Sequence, residues 1–164
     1  MFAYRKHGLL IGLALLVLSS ALASGGAASP NAVSQRIAIE EKATVTANGS
    51  GTFRLIPLTP GPLKADSGTF TFTGGKSGSP AIRKGQSVTT YKGVDVLQGK
   101  NGTLRIPNVT FTVDAGGGYG VGKQTWSIAA GTGAYAHLIG GGAGANVGTP
   151  KGIVLTRYEG YAKR

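Results

Sequence analysis

The stretch Ser67-Gly-Thr-Phe-Thr-Phe-Thr73 decides the class of fold. Its two phenylalanines alternate with threonines, and successive side chains of a β-strand point to opposite faces, so the segment predicts a strand with one apolar and one hydroxylated face. From Ile37 onward, glycine or proline interrupts every window in which an amphipathic helix could extend. The chain is therefore predicted to be all-β.

Short β-branched and aromatic runs on both sides of this segment predict further strands joined by short connections. Eight strands closed into a barrel have no free edges, and their interior holds side chains or one small ligand. We therefore predict a single eight-stranded antiparallel β-barrel over residues 37–164, in preference to a two-sheet sandwich. The predicted strands are 43–47, 51–57, 67–73, 87–97, 102–113, 119–129, 136–147 and 152–161.

The predicted strand 102–113 departs from simple alternation. Leu104 and Ile106 occupy even positions, whereas the apolar residues from Val109 to Val113 occupy odd positions. An extra residue at Pro107-Asn108 would return all of them to one face of the sheet. The pattern therefore predicts a one-residue β-bulge at this point.

The first segment has the order of a secretory signal peptide. Basic Arg5-Lys6 precedes the apolar run Leu9–Leu18 and the small-residue triplet Ala21-Leu22-Ala23. This apolar run is shorter than the roughly 20 residues that a spanning helix needs, which disfavours a retained anchor. We predict cleavage after Ala23, with Ala28 as the alternative, then a flexible leader over residues 24–36. The mature protein is expected to be secreted, extracellular or periplasmic, with no membrane span.

Composition narrows the chemistry. The chain has no cysteine, which excludes disulfides, thiolate nucleophiles and cysteine-based metal sites. Cleavage after Ala23 would leave 15 basic and 6 acidic side chains, a net charge of +9. The cations are dispersed along the strands, so we expect weak, salt-sensitive contact with polyanions and no specific recognition of nucleic acid.

No familiar catalytic or metal-binding motif is present. His137 would be the one histidine of the mature chain, and the six acids are scattered along the sequence. A catalytic triad, a zinc site or a calcium site is difficult to assemble from that set. We predict no cofactor, no metal and no identifiable catalytic residue.

Aromatic residues with a polar group are the better candidates for contact with a ligand, because each joins an apolar body to one hydrogen-bonding atom. Arg157 and Glu159 lie two apart on the last predicted strand and so share a face. If that face points inward, the pair orients a polar ligand; if it points outward, the pair is exposed and Val154 and Tyr158 lie inside. The candidate ligand-binding residues are Tyr91, Tyr119, Trp126, Tyr158, Arg157 and Glu159.

The segment from Trp126 to Gly140 contains Gly131-Thr132-Gly133 followed by Tyr135. The glycines permit backbone approaches that a Cβ would forbid, so the chain can reverse here with Tyr135 plugging one end of a barrel. The segment resembles the allene oxide cyclase and dirigent superfamily of calycin-type barrels. The resemblance implies an interior cavity for an apolar or phenolic molecule and allows dimers or trimers. It assigns no catalytic residue to this chain.

These observations favour a secreted barrel that binds a small apolar or aromatic ligand without turning it over. One alternative is a cyclase, an isomerase or a dirigent-type protein that controls stereochemistry. Another is a basic envelope or matrix protein that docks to polyanions. An inward carboxylate would favour the enzyme, whereas basic side chains gathered on one side would favour the docking protein.

Overall fold

The computed structural model describes residues 34–45 and 49–164. The predicted signal peptide, both cleavage sites and most of the predicted leader lie outside these residues. Among the described residues, no helix is long and apolar enough to cross a membrane. They form ten strands and one 3₁₀ turn, Gly133–Tyr135. The strands are β1 Gln35–Thr44, β2 Ser50–Pro57, β3 Asp66–Lys76, β4 Ala81–Arg83, β5 Gln86–Gly99, β6 Gly102–Gly116, β7 Tyr119–Ser127, β8 Ala130–Gly131, β9 Ile139–Gly148 and β10 Ile153–Lys163.

Eight of these strands close into an antiparallel barrel. The order around the barrel is β1, β2, β3, β5, β6, β7, β9 and β10, and β10 pairs again with β1. Closure depends on the long pairing of β5 with β6, which runs from Val88 opposite Val113 to Gly99 opposite Gly102. The short strands β4 and β8 add to β5 and β6 at the ends of the barrel. The predicted fold class is therefore confirmed.

Seven of the eight predicted barrel strands match the structure within a few residues, but the first does not. The sequence predicts a strand at 43–47, whereas β1 spans Gln35–Thr44. The barrel thus begins inside the predicted leader. The acidic and basic residues Glu40, Glu41 and Lys42 obscure the strand in the sequence, because one of them, Glu41, is buried on the inner face.

The predicted bulge at Pro107-Asn108 is wrong. The register of β6 with β5 continues without interruption through this dipeptide, and the irregularity in β6 lies between Asp114 and Gly116. Even positions therefore face inward along the strand, so that Asn108 and Thr110 follow Ile106 into the interior. The apolar odd positions from Val109 to Val113 are half-buried on the outer face.

One end of the barrel is closed by packing. Buried apolar side chains fill this half, and Leu63, in the loop that follows β2, covers its end. The Gln35 side chain fixes that loop, because its Oε1 accepts from the Leu63 amide at 2.8 Å and its Nε2 donates to the Thr59 carbonyl at 2.9 Å. The closed half contains Ile37, Ile39, Phe53, Leu55, Leu97, Leu104, Ile106, Tyr135 and Leu138.

Candidate functional site

Tyr135 plugs the closed end of the barrel. Its side chain is 2% exposed, and its hydroxyl donates to Asp66 Oδ2 at 2.6 Å. Gly133 has a φ of +57°, and a Cβ on Gly131 would lie 2.2 Å from the Tyr135 carbonyl oxygen, so both glycines are needed for this reversal. Thr132 attaches the turn to β6, since its Oγ1 accepts from the Thr103 amide at 2.9 Å.

The opposite half of the barrel holds a cavity of about 400 Å³. Aromatic side chains of β3 and β5, Phe70, Phe72 and Tyr91, form one part of its wall. Glycines at the strand ends, including Gly75, Gly120 and Gly148, line its mouth and leave it wide. The volume lies in the range of small-molecule sites.

The deeper part of this cavity is polar. Six buried side chains from five strands make up this region, which we call the polar belt. Asp95 is 2% exposed, Gln124 5% and Glu41 6%, so two carboxyl groups lie almost wholly out of solvent. The polar belt consists of Glu41, Asp95, Asn108, Thr110, Gln124 and Tyr158.

Hydrogen bonds hold Asp95 in place. Its Oδ2 accepts from Asn108 Nδ2 at 2.6 Å and from the Tyr158 hydroxyl at 2.8 Å. The Tyr158 ring packs against Trp126, with ring centroids 5.9 Å apart. A Cβ on Gly144 would lie 2.8 Å from Tyr158 Cδ1, so the absence of a side chain at Gly144 leaves room for the Tyr158 ring. The carboxylate is therefore positioned by rigid neighbours.

Burial dominates the proton affinities in the polar belt. It raises the pKa of Asp95 to about 6, although the hydrogen bond from Tyr158 lowers that pKa. Burial and then the charge of Asp95 raise the pKa of Glu41 well above its usual range. Burial and the two acids also raise the pKa of Tyr158, which stays protonated as a donor. Because each ionised acid disfavours ionisation of the other, Glu41 and Asp95 do not readily ionise at the same time.

Two oxygens of the polar belt have no hydrogen-bond partner. They are Glu41 Oε1 and Gln124 Oε1, and no other buried side-chain nitrogen or oxygen of the described residues is unpartnered. Buried polar atoms are normally paired, because an unpaired one costs about 1–3 kcal/mol. The polar belt thus has unused capacity to accept hydrogen bonds.

The predicted ligand-binding residues fall into three groups. Tyr91 and Tyr158 line the cavity, and buried Trp126 supports Tyr158 from the core. Tyr119 is 48% exposed at the start of β7. Arg157 and Glu159 lie on the outer surface, where Arg157 pairs with Glu159 at 2.8 Å and also with Glu40. Of the two orientations considered for this pair, the structure shows the outward one.

Sequence reasoning missed the two acids of the polar belt. The signal was the alternation of side chains along each strand. Glu41 is an odd-numbered position like Ile37 and Ile39 and so lies on their face of β1, and Asp95 lies on the same face of β5 as Leu97. All of these side chains are buried. A correct placement of β1 would have put Glu41 on the inward face, because side chains alternate along a strand.

The outer surface is basic without being one-sided. All 15 Lys and Arg side chains of the described residues are exposed, and of the eight barrel strands only β9 carries none of them. The same described part of the chain has no cluster of three or more His, Cys, Asp or Glu side chains that could hold a metal ion. The geometry therefore favours the lumen over the outer surface as the functional site.

Neither a scan of family models nor a search of curated proteins matched the chain.

Proposed function

We propose that this protein is an exported β-barrel that binds a small molecule in its open half. The observation that carries the proposal is a cavity of about 400 Å³ whose wall joins aromatic surface to buried, unpartnered acceptor oxygens. Such a combination of an apolar wall with a few fixed polar groups is typical of ligand sites. An interior used only for packing would be filled at this end, as it is at the other.

The polar belt refines the ligand that the sequence predicts. Phe70, Phe72 and Tyr91 favour an apolar or aromatic body near the mouth. Glu41 Oε1 and Gln124 Oε1 favour a hydrogen-bond donor at the deeper end. The proposed ligand is therefore amphiphilic, with its donor group directed inward.

A variant that fills the mouth tests this function. A Cβ on Gly148 has only one contact, at 3.9 Å from the Gly120 carbonyl oxygen, so Gly148→Phe places a ring in the cavity without a backbone clash. Ala143→Phe is the matched control, because Ala143 is exposed on the same strand. The full chain and both variants are incubated with a small-molecule extract of the producing cells and examined by native mass spectrometry.

We expect the same bound mass on the full chain and on Ala143→Phe, with loss of that mass from Gly148→Phe. Extraction and mass analysis then identify the molecule. Equal occupancy of the Gly148→Phe variant, or no bound mass on any of the three proteins, contradicts binding in the lumen.

Acid–base catalysis on the bound molecule is the second candidate, and the two lumen acids favour it. A carboxyl with a pKa of about 6, beside a second acid whose pKa is also raised, suits proton transfer in an isomerase or cyclase. The allene oxide cyclase and dirigent superfamily, which the Gly131–Tyr135 segment resembles, includes such enzymes. Release of a rearranged isomer of the bound molecule, lost in Asp95→Asn with binding retained, would support this function over binding alone.

A further inference from the structure

The cavity and the exposed surface differ in which charged side chains they carry. Every Lys and Arg of the described residues is exposed, whereas the cavity is lined by two acids and no basic side chain. The tyrosines that line it, Tyr91 and Tyr158, are neutral when protonated. An anionic ligand would therefore enter a cavity in which every ionised group repels it.

The hydrogen-bonding capacity of the polar belt points the same way. Both unpartnered oxygens, on Glu41 and Gln124, lie on side chains more than nine-tenths buried that line the cavity. Gln124 is not an acid, so this capacity is independent of the charge. The unpartnered buried side-chain atoms of the described residues are both oxygens, so a ligand that donates hydrogen bonds satisfies them, whereas a ligand that only accepts leaves both unpaired.

An ammonium group meets both conditions. It carries three donors and a positive charge, so one group can donate to a carboxylate and to an amide oxygen together. Its charge also pairs with the acids in a site of low dielectric, where such a pair is stronger than in water. Aromatic faces at the wall of the cavity further favour a cation over a neutral group.

We infer that the ligand of the lumen is an organic cation, a protonated amine with an apolar or aromatic body, held at Glu41, Asp95 and Gln124. This inference rests on the proposed function and specifies the chemical class of its ligand. The exposed Arg and Lys side chains do not oppose it at contact distance, because none of those in the described residues lines the cavity.

Three probes that share a phenylethyl body test the inference with the full chain. Phenethylamine is a cation near pH 7, 2-phenylethanol is neutral, and 3-phenylpropanoate is an anion. In isothermal titration calorimetry we expect phenethylamine to bind about tenfold or more tightly than the alcohol, and the carboxylate to bind more weakly still.

Two adjacent residues provide a matched pair of variants. Glu41→Gln keeps an acceptor oxygen in the polar belt but removes the acid, whereas Glu40→Gln makes the same change on the outer surface. We expect Glu41→Gln to weaken phenethylamine binding about tenfold or more while binding of the alcohol changes little. Glu40→Gln should leave both unchanged.

Proton release gives a second readout. A bound cation favours the ionised acids, so phenethylamine binding near pH 6–7 should release protons, measured as a dependence of the binding enthalpy on the ionisation enthalpy of the buffer. The titratable groups that face the bound amine are Glu41, Asp95, Tyr91 and Tyr158. We expect the release to fall in Glu41→Gln.

The outcomes separate this inference from the proposed function. Equal affinity for the amine and the alcohol, or no loss in Glu41→Gln, overturns the cation inference and leaves binding in the lumen intact. Failure of phenethylamine to bind overturns the cation inference as well. The proposed function is still decided separately, by whether Gly148→Phe loses the ligand mass that the full chain carries in native mass spectrometry. Tighter binding of the carboxylate would reverse the assigned charge.

Discussion

Asp95→Asn should stabilise the protein at high pH and not at low pH. Burial raises the pKa of Asp95 from its ordinary value of 3.8 to about 6, and the side chain is only 2% exposed. Between these two pH values the folded protein keeps a proton that the unfolded chain releases, so the free energy of unfolding falls as the pH rises. A difference of this size corresponds to a loss of about 3 kcal/mol, complete above pH 6.

Replacement by asparagine removes this loss while preserving the local geometry. The side-chain oxygen of asparagine can still accept from Asn108 and Tyr158, which now donate to Asp95 Oδ2. Removal of the Asp95 charge also takes away one cause of the raised pKa of Glu41. At pH 8 we expect the variant to be about 2–3 kcal/mol more stable than the natural sequence, and at pH 4 to differ by less than about 1 kcal/mol.

Urea unfolding between pH 4 and pH 8 measures the difference. The control is Asp114→Asn, because Asp114 is exposed and accepts only from the nearby Gly116 amide. It should show no comparable dependence on pH. If Asp95→Asn destabilises the protein more at pH 8 than at pH 4, the hydrogen bonds to the ionised carboxylate outweigh its burial and the reasoning is refuted. An effect that is the same at every pH refutes it as well, because the pKa of Asp95 is then not raised.

Three further changes test other parts of the structure. Tyr135→Phe removes a hydrogen-bond donor to Asp66. Burial raises the pKa of Asp66, but hydrogen bonds from Tyr135 and from backbone amides lower it by more, so the pKa lies below its ordinary value. In urea titrations we expect a loss of about 1–2 kcal/mol near pH 7 that diminishes as the pH falls through the lowered pKa of Asp66; a loss independent of pH contradicts this account. Gly144→Ala places a Cβ 2.8 Å from the Tyr158 ring and should cost about 1–3 kcal/mol and alter the near-ultraviolet circular dichroism, whereas Gly148→Ala should do neither. Arg157→Ala should change stability by no more than about 1 kcal/mol and leave ligand binding intact; a loss of binding would place this side chain in the site.

The architecture was predictable because most strands obey simple rules. Alternation at Phe70 and Phe72, turn residues between the runs and the absence of helical periodicity predict an antiparallel barrel, and the structure has one. These signals arise from the packed wall, where apolar side chains face inward. They contain no information about a cavity.

The strand β6 shows why the candidate site was not predictable in the same way. Assigning its apolar residues to the interior requires a bulge at Pro107-Asn108, yet the structure keeps one register and turns Asn108 and Thr110 inward. The rule that apolar residues face inward fails here because the interior is itself polar. The misplaced β1 has the same cause, since Glu41 also faces inward.

These two failures lie at the same place in the molecule, and this coincidence is informative. Sequences generally specify a fold consistently, and local conflicts with the expected pattern concentrate at functional sites. The conflict is also energetic: the loss of about 3 kcal/mol assigned to Asp95 is a large part of the roughly 5–15 kcal/mol that a typical domain has in total.

A ligand that binds only the folded barrel can offset this loss. At a concentration about 100 times its dissociation constant, it stabilises the folded state by about 2.7 kcal/mol, close to the loss at Asp95. A bound cation also favours the ionised forms of Glu41 and Asp95. In the empty barrel these ionised forms are the costly ones, because burial raises the pKa of both acids. The pH range in which the empty barrel is weakest is therefore the range in which a bound amine should stabilise it most.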